Sequence, residues 1–405
     1  MPLLTSTSGQ SDLPWYFTVA FRQLSTLKNG AIDLALSDGR IFRAKGTNPG
    51  PHARVDIHNA DVFARLAREG DMGFSDAYLE GWWSSPDLQA FLDVVLANNQ
   101  EINNGFPGAG IVMMLERLRH WMNSNTKTQA KKNISYHYDL GNEFYATWLD
   151  DTMTYSSAIF ETGQESLEAA QTAKYASMCD EMGVKPGDHL LEIGCGWGGF
   201  AEYAAKERGA KLTCLTISQE QHDFAKARME RQGLSDQVEV VLRDYRDETG
   251  TYDGIASIEM FEAVGEKYWP TYFNAVRDRL KPGAKGTFQI ITIHNEVFPK
   301  YRKTVDFIQK HIFPGGMLPS PNALRSEIER AGLKFVQSKE FGQSYSLTLR
   351  RWYERFNDAW PSIQPMHQQF DERFKRMWDF YLTSCAAAFH YDNCDVTQVT
   401  VERTT

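Results

Sequence analysis

A short apolar stretch followed by four glycines constrains this chain more than any other feature. Residues 190–199 read Leu-Leu-Glu-Ile-Gly-Cys-Gly-Trp-Gly-Gly, after a Lys-Pro-Gly-Asp turn at 185–188 and before the helix-prone residues 200–206. This order predicts a strand, a glycine-rich turn and a helix. Glycine has no Cβ and tolerates unusual dihedral angles, so such a turn lets the backbone closely approach a nucleotide-like ligand. We therefore expect a nucleoside cofactor at this loop.

The residues around the loop distinguish two classes of cofactor. A dinucleotide fingerprint needs an acid at the end of the next strand to hold the ribose, and residues 211–218 contain none. Glu192, just before the glycines, would repel a pyrophosphate but suits a cation. S-adenosylmethionine has an ammonium, a sulfonium and no phosphate, so Glu192 with Gly194 and Gly196 indicates a methyltransferase. A glycine-rich turn without a ligand is the alternative.

Length and composition exclude several other classes. With 405 residues the chain exceeds one ordinary domain, so we expect a large α/β domain and a smaller one. The net charge of -9 argues against nucleic-acid binding. The cysteines lack paired metal spacing, which predicts reduced thiols and no metal site. No stretch reaches the roughly 18 apolar residues of a membrane span, and residues 1–10 lack the features of a signal peptide. We expect a cytoplasmic protein that meets lipid from the water side.

Residues 1–125 are predicted to form a separate N-terminal α+β domain. Residues 31–43 alternate around an Asp-Gly pair and predict a hairpin, and residues 62–68 and 74–99 predict helices, the second interrupted near Asp87, a helix cap. Trp82 and Trp83 belong to the core by default, with an exposed lipid-facing patch as the alternative. Residues 111–132 are amphipathic and then basic. They indicate either a solvated linker or a segment that docks on anionic headgroups.

From residue 161 onward, strands and helices are predicted to alternate. Strands are expected at 189–193, 211–217, 238–242, 252–258 and 286–292, with helices at 166–182, 219–232 and 268–280. Such alternation predicts a parallel sheet, and ligands collect at its carboxyl edge. Glu192, Thr216, Asp244 and Glu262 fall at that edge. The aromatic stretch at 133–160 indicates either rings near a sulfonium or a helix packed by its rings.

Several separate motifs resemble one enzyme family. They are Tyr-His-Tyr-Asp at 136–139, the glycine loop at 192–199, Met-Phe-Glu-Ala-Val-Gly at 260–265 and Phe-Pro-Gly-Gly-Met-Leu-Pro-Ser at 313–320. In this order they resemble the cyclopropane-fatty-acyl-phospholipid synthases and mycolic acid cyclopropane synthases, over about residues 130–400. The resemblance implies a Rossmann-like, seven-stranded class I S-adenosylmethionine-dependent methyltransferase domain at 126–405, with an acyl-chain tunnel. It also implies a smaller N-terminal lipid-engaging domain.

The same resemblance implies a substrate and a cofactor site. The substrate is a cis double bond in an unsaturated acyl chain of a membrane phospholipid, which places the enzyme peripherally at the inner membrane face. The implied partner is the bilayer surface. The resemblance also implies a homodimer, for which the residues themselves give no independent indication. Besides Glu192 from the loop argument, the residues expected to line the cofactor site are Tyr136, Ser156, Gly194, Gly196, Thr216, Gln221, Asp244 and Tyr245.

Four catalytic residues are implied as well, namely Glu262, Tyr345, Ser157 and Cys385. Attack of the double bond on the sulfonium methyl leaves a carbocation, which the ring of Tyr345 is suited to stabilise, and a base then removes a proton. In ring-forming relatives that base is bicarbonate. Here Ser157, Ala263 and Ile291 stand where those relatives have a cysteine and two histidines, and an anion without donors is costly to bury.

Glu262 is the alternative base to bicarbonate, while Cys385 matches the family although a buried cysteine usually only packs. Proton loss from the added methyl closes a cyclopropane ring. Other routes give a methyl-branched, methylene or furan-precursor chain. Two further interpretations are a peripheral lipid-binding protein without catalysis and a methyltransferase for a small soluble substrate.

Overall fold

A computed structural model describes residues 3–103 and 140–404 and divides them between two compact units. The first unit holds residues 3–103, 304–311 and 361–393, and the second holds residues 140–303, 312–360 and 394–404. In the part described, no helix is long and apolar enough to cross a membrane. The basic and amphipathic segment at 111–132 lies outside the described residues.

The strands, in chain order, are β1 (Leu3–Leu4), β2 (Asn29–Ala35), β3 (Ile41–Lys45), β4 (Asn48–Ile57), β5 (Trp83–Ser84), β6 (His189–Ile193), β7 (Lys211–Thr216), β8 (Val238–Leu242), β9 (Tyr252–Ile258), β10 (Leu280–Ile293), β11 (Leu333–Glu340) and β12 (Cys394–Arg403). The helices are α1 (Trp15–Leu24), α2 (Asp61–Leu79), α3 (Leu88–Ala97), α4 (Asn99–Asn103), α5 (Asn142–Trp148), α6 (Leu167–Met182), α7 (Gly199–Arg208), α8 (Gln219–Arg231), α9 (Trp269–Arg279), α10 (Phe298–Tyr301), α11 (Phe307–His311), α12 (Pro321–Arg330), α13 (Gly342–Ile363) and α14 (Glu372–His390). Short 3₁₀ turns cover Tyr245–Asp247, Phe261–Ala263, Glu266–Tyr268 and Gln364–Met366.

The first unit contains a five-stranded sheet in the order β1-β3-β2-β4-β5. The predicted hairpin is confirmed, because β2 and β3 pair antiparallel with Leu34 opposite Phe42. The predicted cap is confirmed too, since the Asp87 carboxylate accepts from the backbone N of Ala90 at 2.8 Å where α3 begins. Trp83 is fully buried, as the default interpretation predicted, and its ring stacks on Phe74 at 4.5 Å.

The first unit also takes in two segments, 304–311 and 361–393, that the division at residue 125 placed with the methyltransferase domain. Polar contacts hold the first of these: Asp76 pairs with Lys310 Nζ and His311 Nε2, each at 2.8 Å. Rings hold the second, because Phe380 of α14 packs on Tyr78 at 5.7 Å and on Phe307 at 4.6 Å. Both are tertiary contacts between distant parts of the chain, which a boundary drawn along the sequence does not reveal.

The second unit is built on a seven-stranded sheet in the order β11-β12-β10-β9-β6-β7-β8. Strands β6 to β10 run parallel, while β12 pairs antiparallel with both β10 and β11. The predicted α/β class and seven strands are therefore confirmed. The strand order reverses at β6, which lies between β7 and β9. In open parallel sheets ligands bind at the carboxyl ends of the strands beside such a reversal, so the glycine loop after β6 is well placed for a ligand.

Helices cover both faces of this sheet. Strand β6 places apolar side chains on each face. Leu190 belongs to an apolar cluster with α6 and α7, whereas Leu191 belongs to a second cluster with α9 and α12. A strand with successive apolar side chains on opposite faces is typical of a sheet buried on both sides. The core thus fixes β6 in place and positions Glu192 and the loop that follows.

Strand β10 is much longer than predicted. It begins at Leu280, six residues before the prediction, because the chain between Leu280 and Lys285 forms a bulge in the pairing with β9 and continues the strand. Gly283 supplies the positive φ of 76° that this bulge needs.

Candidate active site

The glycine loop leaves β6 at Ile193 and turns sharply into α7. The backbone N atoms of Gly194 and Cys195 both donate to the carbonyl of Leu215, at 2.9 Å, which ties the loop to β7. Gly194, Gly196 and Gly198 have φ of 81°, 51° and 83°, values that L side chains rarely adopt. Among the described residues nothing lies within 4 Å of a Cβ placed on Gly196, so the loop is open at this position. The loop therefore fits a ligand that approaches the backbone, as the nucleoside cofactor was predicted to do.

Two of the glycines are required by packing. A Cβ on Gly194 would lie 2.7 Å from Met260 Cγ, and a Cβ on Gly199 would lie 2.4 Å from the hydroxyl oxygen of Tyr175. The loop thus contacts the segment that follows β9. This contact brings the predicted cofactor loop next to residues 259–262.

Glu192 is buried at the end of β6. The thiol of Cys214 donates to its Oε2 at 3.5 Å. Burial raises the pKa of Glu192 to about 8, against the lowering effects of Cys214 and of the nearby charges of Lys174 and Arg228. A carboxyl group in this state favours a cationic neighbour, because a positive charge would restore its ionised form. The arrangement fits the ammonium or sulfonium of S-adenosylmethionine and not a phosphate.

The ends of β7 and β8 supply further predicted cofactor residues. Thr216 donates to the Gln221 side-chain oxygen at 3.0 Å, so these two residues are brought together. Asp244 forms a two-point ion pair with Arg246, at 2.7 and 2.5 Å, and caps the 3₁₀ turn at Tyr245–Asp247. The ring of Tyr245 packs edge-on against Tyr272 at 5.4 Å. Tyr136, the remaining aromatic residue predicted for this site, lies outside the described residues.

A second cluster lies around Ser156 and Ser157. Lys174 of α6 is fully buried, and its Nζ donates to Ser156 Oγ at 2.7 Å. The Ser157 hydroxyl donates to the carbonyl of Ala158 at 2.9 Å, while its backbone N donates to Glu259 Oε1 at 2.8 Å. Ser157 therefore contributes its backbone, rather than its side chain, to this cluster.

Glu259 and Tyr345 meet in the same cluster. The Tyr345 hydroxyl donates to Glu259 Oε2 at 2.6 Å, and Gln289 Nε2 donates to Glu259 Oε1 at 2.8 Å. Burial raises the pKa of Glu259, while the hydrogen bonds from Tyr345 and Gln289 and the charge of Lys174 oppose the rise. The predicted Tyr345 is thus held by a carboxylate for which sequence reasoning had assigned no role.

Glu262 lies one 3₁₀ turn further along the chain. Its Oε1 accepts from the backbone N of Ile291 at 2.6 Å, whereas its buried Oε2 has no hydrogen-bond partner among the described residues. Burial raises the pKa of Glu262 to about 8, and the charge of Glu259 adds to the rise. Two buried carboxyl groups therefore share this end of β9, one with three donors and one with a single donor.

Aromatic rings pack close to this cluster. Tyr155 lies between Trp148 at 5.6 Å and Trp352 at 5.3 Å, and Trp352 contacts the ring of Tyr345 edge-on at 6.2 Å. In the described part of the aromatic stretch, the rings of the short helix α5 are buried, as expected for a helix packed by its rings. The rings also keep water away from the neighbouring polar groups.

Cys385, the fourth predicted catalytic residue, belongs to α14 in the first unit. Burial raises the pKa of its thiol to about 12, and the charge of Asp306 adds to the rise. A thiol that stays protonated is a poor nucleophile, so Cys385 has the properties of a packed cysteine.

Sequence reasoning missed the functional potential of Glu259 and Lys174, although each left a signal. Glu259 is the first residue after the apolar strand β9, at the edge where ligands collect. Lys174 falls on the buried face of α6, between Ala170 and Met178, where helical spacing calls for an apolar residue. A charged residue at a buried position is rare unless it is paired, which marks Lys174 as a candidate.

Comparison with known proteins identifies the family. A sequence profile described as mycolic acid cyclopropane synthetase matches residues 125–399, more than half of the chain. The tuberculostearic acid methyltransferase of Mycobacterium tuberculosis is 38% identical, over 90% of this chain and 87% of its own length. The cyclopropane-fatty-acyl-phospholipid synthase of Escherichia coli is 37% identical, over 87% of this chain and 88% of its own length.

A solved structure gives the same result. The mycolic acid cyclopropane synthase CmaA1, complexed with SAH and CTAB, matches with a TM-score of 0.63 and 27% identity, over 67% of this chain and 98% of that one. The predicted class I methyltransferase fold, the enzyme class and the cofactor are thereby confirmed. The alternative interpretation, a peripheral lipid-binding protein without catalysis, is wrong. The chain belongs to the mycolic acid cyclopropane synthetase family and is an S-adenosylmethionine-dependent methyltransferase.

Proposed function

We propose that this enzyme transfers a methyl or methylene group to the double bond of an unsaturated acyl chain in a membrane phospholipid. One observation carries the proposal: the hydroxyl of Tyr345 and the buried carboxyl groups of Glu259 and Glu262 lie beside the cofactor loop. Carbon methylation of an alkene needs a dry site with a group that removes a proton afterwards. The names of the relatives point to the same class of substrate.

Glu192, Gly194, Gly196, Thr216 and Gln221 would hold S-adenosylmethionine, which when bound would supply an activated methyl group. The protein must do the rest, because an alkene is a weak nucleophile. Packing around Tyr155 and Trp352 excludes water, which would otherwise capture a carbocation on the chain. The π faces of Tyr345 and its neighbours attract positive charge and so stabilise that cation. A carboxylate then receives the proton.

The product is a separate question, and the structure favours an open-chain alternative to ring closure by bicarbonate. The Ser157 hydroxyl is directed to its own chain, and the backbone N of Ile291 already bonds Glu262. These groups are therefore not available as donors to a bound anion. A methyl-branched, methylene or furan-precursor chain is the second candidate. The relative named as a tuberculostearic acid methyltransferase is as similar to this chain as the one named as a cyclopropane synthase, at 38% and 37% identity.

The test is mass spectrometry of acyl chains after incubation with liposomes and S-adenosylmethionine that carries a trideuterated methyl group. Loss of one deuterium means that the proton came from the added methyl, as in ring closure or methylene formation. Retention of all three means that it came from the chain. Fragmentation then separates a ring from a methylene group, and a conjugated-diene lipid serves as a parallel substrate. Label in a small soluble acceptor and in no lipid would refute the acyl-chain proposal.

For the first unit we propose contact with the bilayer surface at the inner membrane face. Helix α1 supports this, because Trp15 and Tyr16 are 70% and 41% exposed and Val19 is exposed on the same side. Tryptophan and tyrosine favour the membrane interface, where one end of the ring is apolar and the other wet. We expect Trp15→Ser to reduce co-flotation with liposomes severalfold. Trp82→Ser, beside Arg65, is the matched control, and equal loss in both variants would count against a specific role for α1.

A further inference from the structure

Three donors from separate segments converge on the carboxylate of Glu259. Its Oε1 accepts from the backbone N of Ser157 and from Gln289 Nε2, each at 2.8 Å, and its Oε2 accepts from the Tyr345 hydroxyl at 2.6 Å. An ionised carboxylate only accepts hydrogen bonds, whereas a protonated one must also place a donor hydrogen. Because every partner is a donor, the arrangement favours the ionised form.

The two oxygens of this carboxylate differ in the number of acceptor sites that remain unoccupied. Each has about two acceptor sites, and Oε1 uses both, for Ser157 and Gln289. Oε2 uses one, for Tyr345, and in the described part of the chain nothing else donates to it. A single acceptor site on Oε2 is therefore open to receive a proton.

The charged groups that face Glu259 are Lys174 and Glu262. Burial lowers the pKa of Lys174 to about 7, although the charges of Glu259, Asp150 and Glu192 oppose the fall. Burial raises the pKa of Glu262 to about 8, with help from the charge of Glu259. Burial therefore favours the protonated form of Glu262 at neutral pH, whereas at Glu259 the three donors and the charge of Lys174 favour the ionised form against the effect of burial. Neighbouring carboxyl groups in such different environments are suited to separate roles.

The position of Glu259 also suits a reacting group. It directly precedes Met260, the residue against which Gly194 of the cofactor loop packs. Lys174, whose charge acts on Glu259, bonds Ser156 of the predicted cofactor site. In the part of the chain that the structure describes, Glu259 also keeps part of its surface accessible.

We propose that Glu259 is the catalytic base of this enzyme, with Oε2 as the accepting atom, and that neither bicarbonate nor Glu262 takes that role. This assignment rests on the proposed function. In the step, a C–H bond of the cationic chain breaks and its electron pair forms either the ring C–C bond or a C=C bond. The proton goes to Oε2, so the positive charge of the chain and the negative charge of the carboxylate are both neutralised.

The experiment compares four proteins in the deuterated-methyl assay: wild type, Glu259→Gln, Glu259→Gly and Glu207→Gln. Glu207 is an exposed carboxylate on α7 and serves as the matched control. Each is assayed in buffer stripped of carbon dioxide and in buffer with added bicarbonate, and S-adenosylmethionine binding is measured by calorimetry. General bases contribute roughly 10²-fold to 10⁴-fold to a rate, so we expect Glu259→Gln to lose at least a hundredfold in turnover.

We further expect the wild type and Glu207→Gln to be equally active with and without bicarbonate, and cofactor affinity to stay within about twofold in all four. Glu259 has a positive φ of 47°, so glycine is tolerated there and Glu259→Gly keeps the fold. Formate or bicarbonate should restore part of its turnover by filling the vacated acceptor position. This rescue distinguishes loss of a base from a structural defect.

Two results would overturn the assignment alone: a wild-type rate that collapses without bicarbonate, or a Glu259→Gln variant that keeps more than about a tenth of the turnover. Failure of formate and bicarbonate to restore any turnover in a folded Glu259→Gly variant would also count against it. The absence of label in any lipid with the wild type would instead overturn the proposed function, and the assignment with it.

Discussion

Glu262→Gln should make the enzyme more stable at alkaline pH and leave its stability at pH 5 nearly unchanged. The folded pKa of Glu262 is about 8, compared with an ordinary value of 4.5. Between these values the folded protein holds a proton that the unfolded chain has released, so stability falls as the pH rises through this window. Glutamine is neutral and of the same shape. Its oxygen can accept from Ile291 as Oε1 does now, and the variant removes the pH-dependent cost.

The size of the effect follows from that shift. One pKa unit corresponds to about 1.4 kcal/mol, so the full shift is worth at most about 5 kcal/mol, of which about 3.5 kcal/mol falls between pH 5 and pH 8. At about 2 °C per kcal/mol for a domain of this size, the Tm difference between variant and wild type should be roughly 7 °C larger at pH 8 than at pH 5. Glu192 also has a pKa raised to about 8, but it is present in both proteins and its contribution cancels.

Differential scanning fluorimetry at pH 5, 6, 7 and 8 measures the difference in Tm between variant and wild type. Glu207→Gln, on an exposed face, should show no such pH dependence. A Tm difference that is the same at pH 5 and pH 8 would refute the reasoning, because it would mean that Glu262 has the same protonation state in the folded and unfolded protein.

Three further predictions test other parts of the structure. Gly194→Ala should weaken S-adenosylmethionine binding at least tenfold by calorimetry, because its Cβ would lie 2.7 Å from Met260 Cγ. Gly187→Ala is the control, because its Cβ would meet nothing within 4 Å among the described residues, and equal losses would contradict the packing argument. Tyr345→Phe removes only the hydroxyl that donates to Glu259. The variant should lose roughly tenfold to hundredfold in turnover, as expected for a hydrogen bond to a charged group, while its affinity for the cofactor stays unchanged. Asp76→Asn should lower the stability of the protein in urea near pH 6 but much less near pH 2. Pairing with Lys310 and His311 lowers the pKa of Asp76 to about 2, so the stabilisation by the ionised carboxylate is lost as the pH falls through this value. A loss of stability that does not depend on pH would contradict this prediction.

Much of the second unit could be predicted because its signals are local. The alternation of strands and helices and the Gly194 to Gly199 turn each depend on residues close together in the chain, and both are confirmed. The cap at Asp87 in the first unit is local in the same way and is confirmed as well. Strands β11 and β12 were not predicted from the residues, since an antiparallel pair at the edge of the sheet is specified by distant partners. The same holds for residues 304–311 and 361–393, which join the first unit through contacts to Asp76 and Tyr78.

The candidate site was predicted in part for a similar reason. Motifs located Glu262, Tyr345 and Ser157 in one region, and the structure connects the last two through Glu259. The hydrogen bonds that distinguish Glu259 from Glu262 come from three segments that are distant in the chain, so no spacing in the sequence predicts them. The electrostatic environment of a buried group is a property of the fold, and the roles of the two carboxyl groups depend on it.

The backbone of the site shows how that environment is maintained. Among the described residues of the second unit, the non-glycine residues with positive φ are Met153, at 53°, and Glu259, at 47°. Such conformations cost of order 1–3 kcal/mol each and persist only where surrounding contacts over-determine them. Met153 lies four residues before Ser157, and the backbone N of Ser157 donates to Glu259 Oε1. The two residues with strained backbone therefore lie on the two sides of one hydrogen bond. Hydrogen bonds to a charged acceptor contribute roughly 1.5–3 kcal/mol each, enough for the three at Glu259 to offset the strain. Strain concentrated on one carboxylate is expected where the position of that group matters for the reaction, which favours a catalytic over a purely structural role for Glu259.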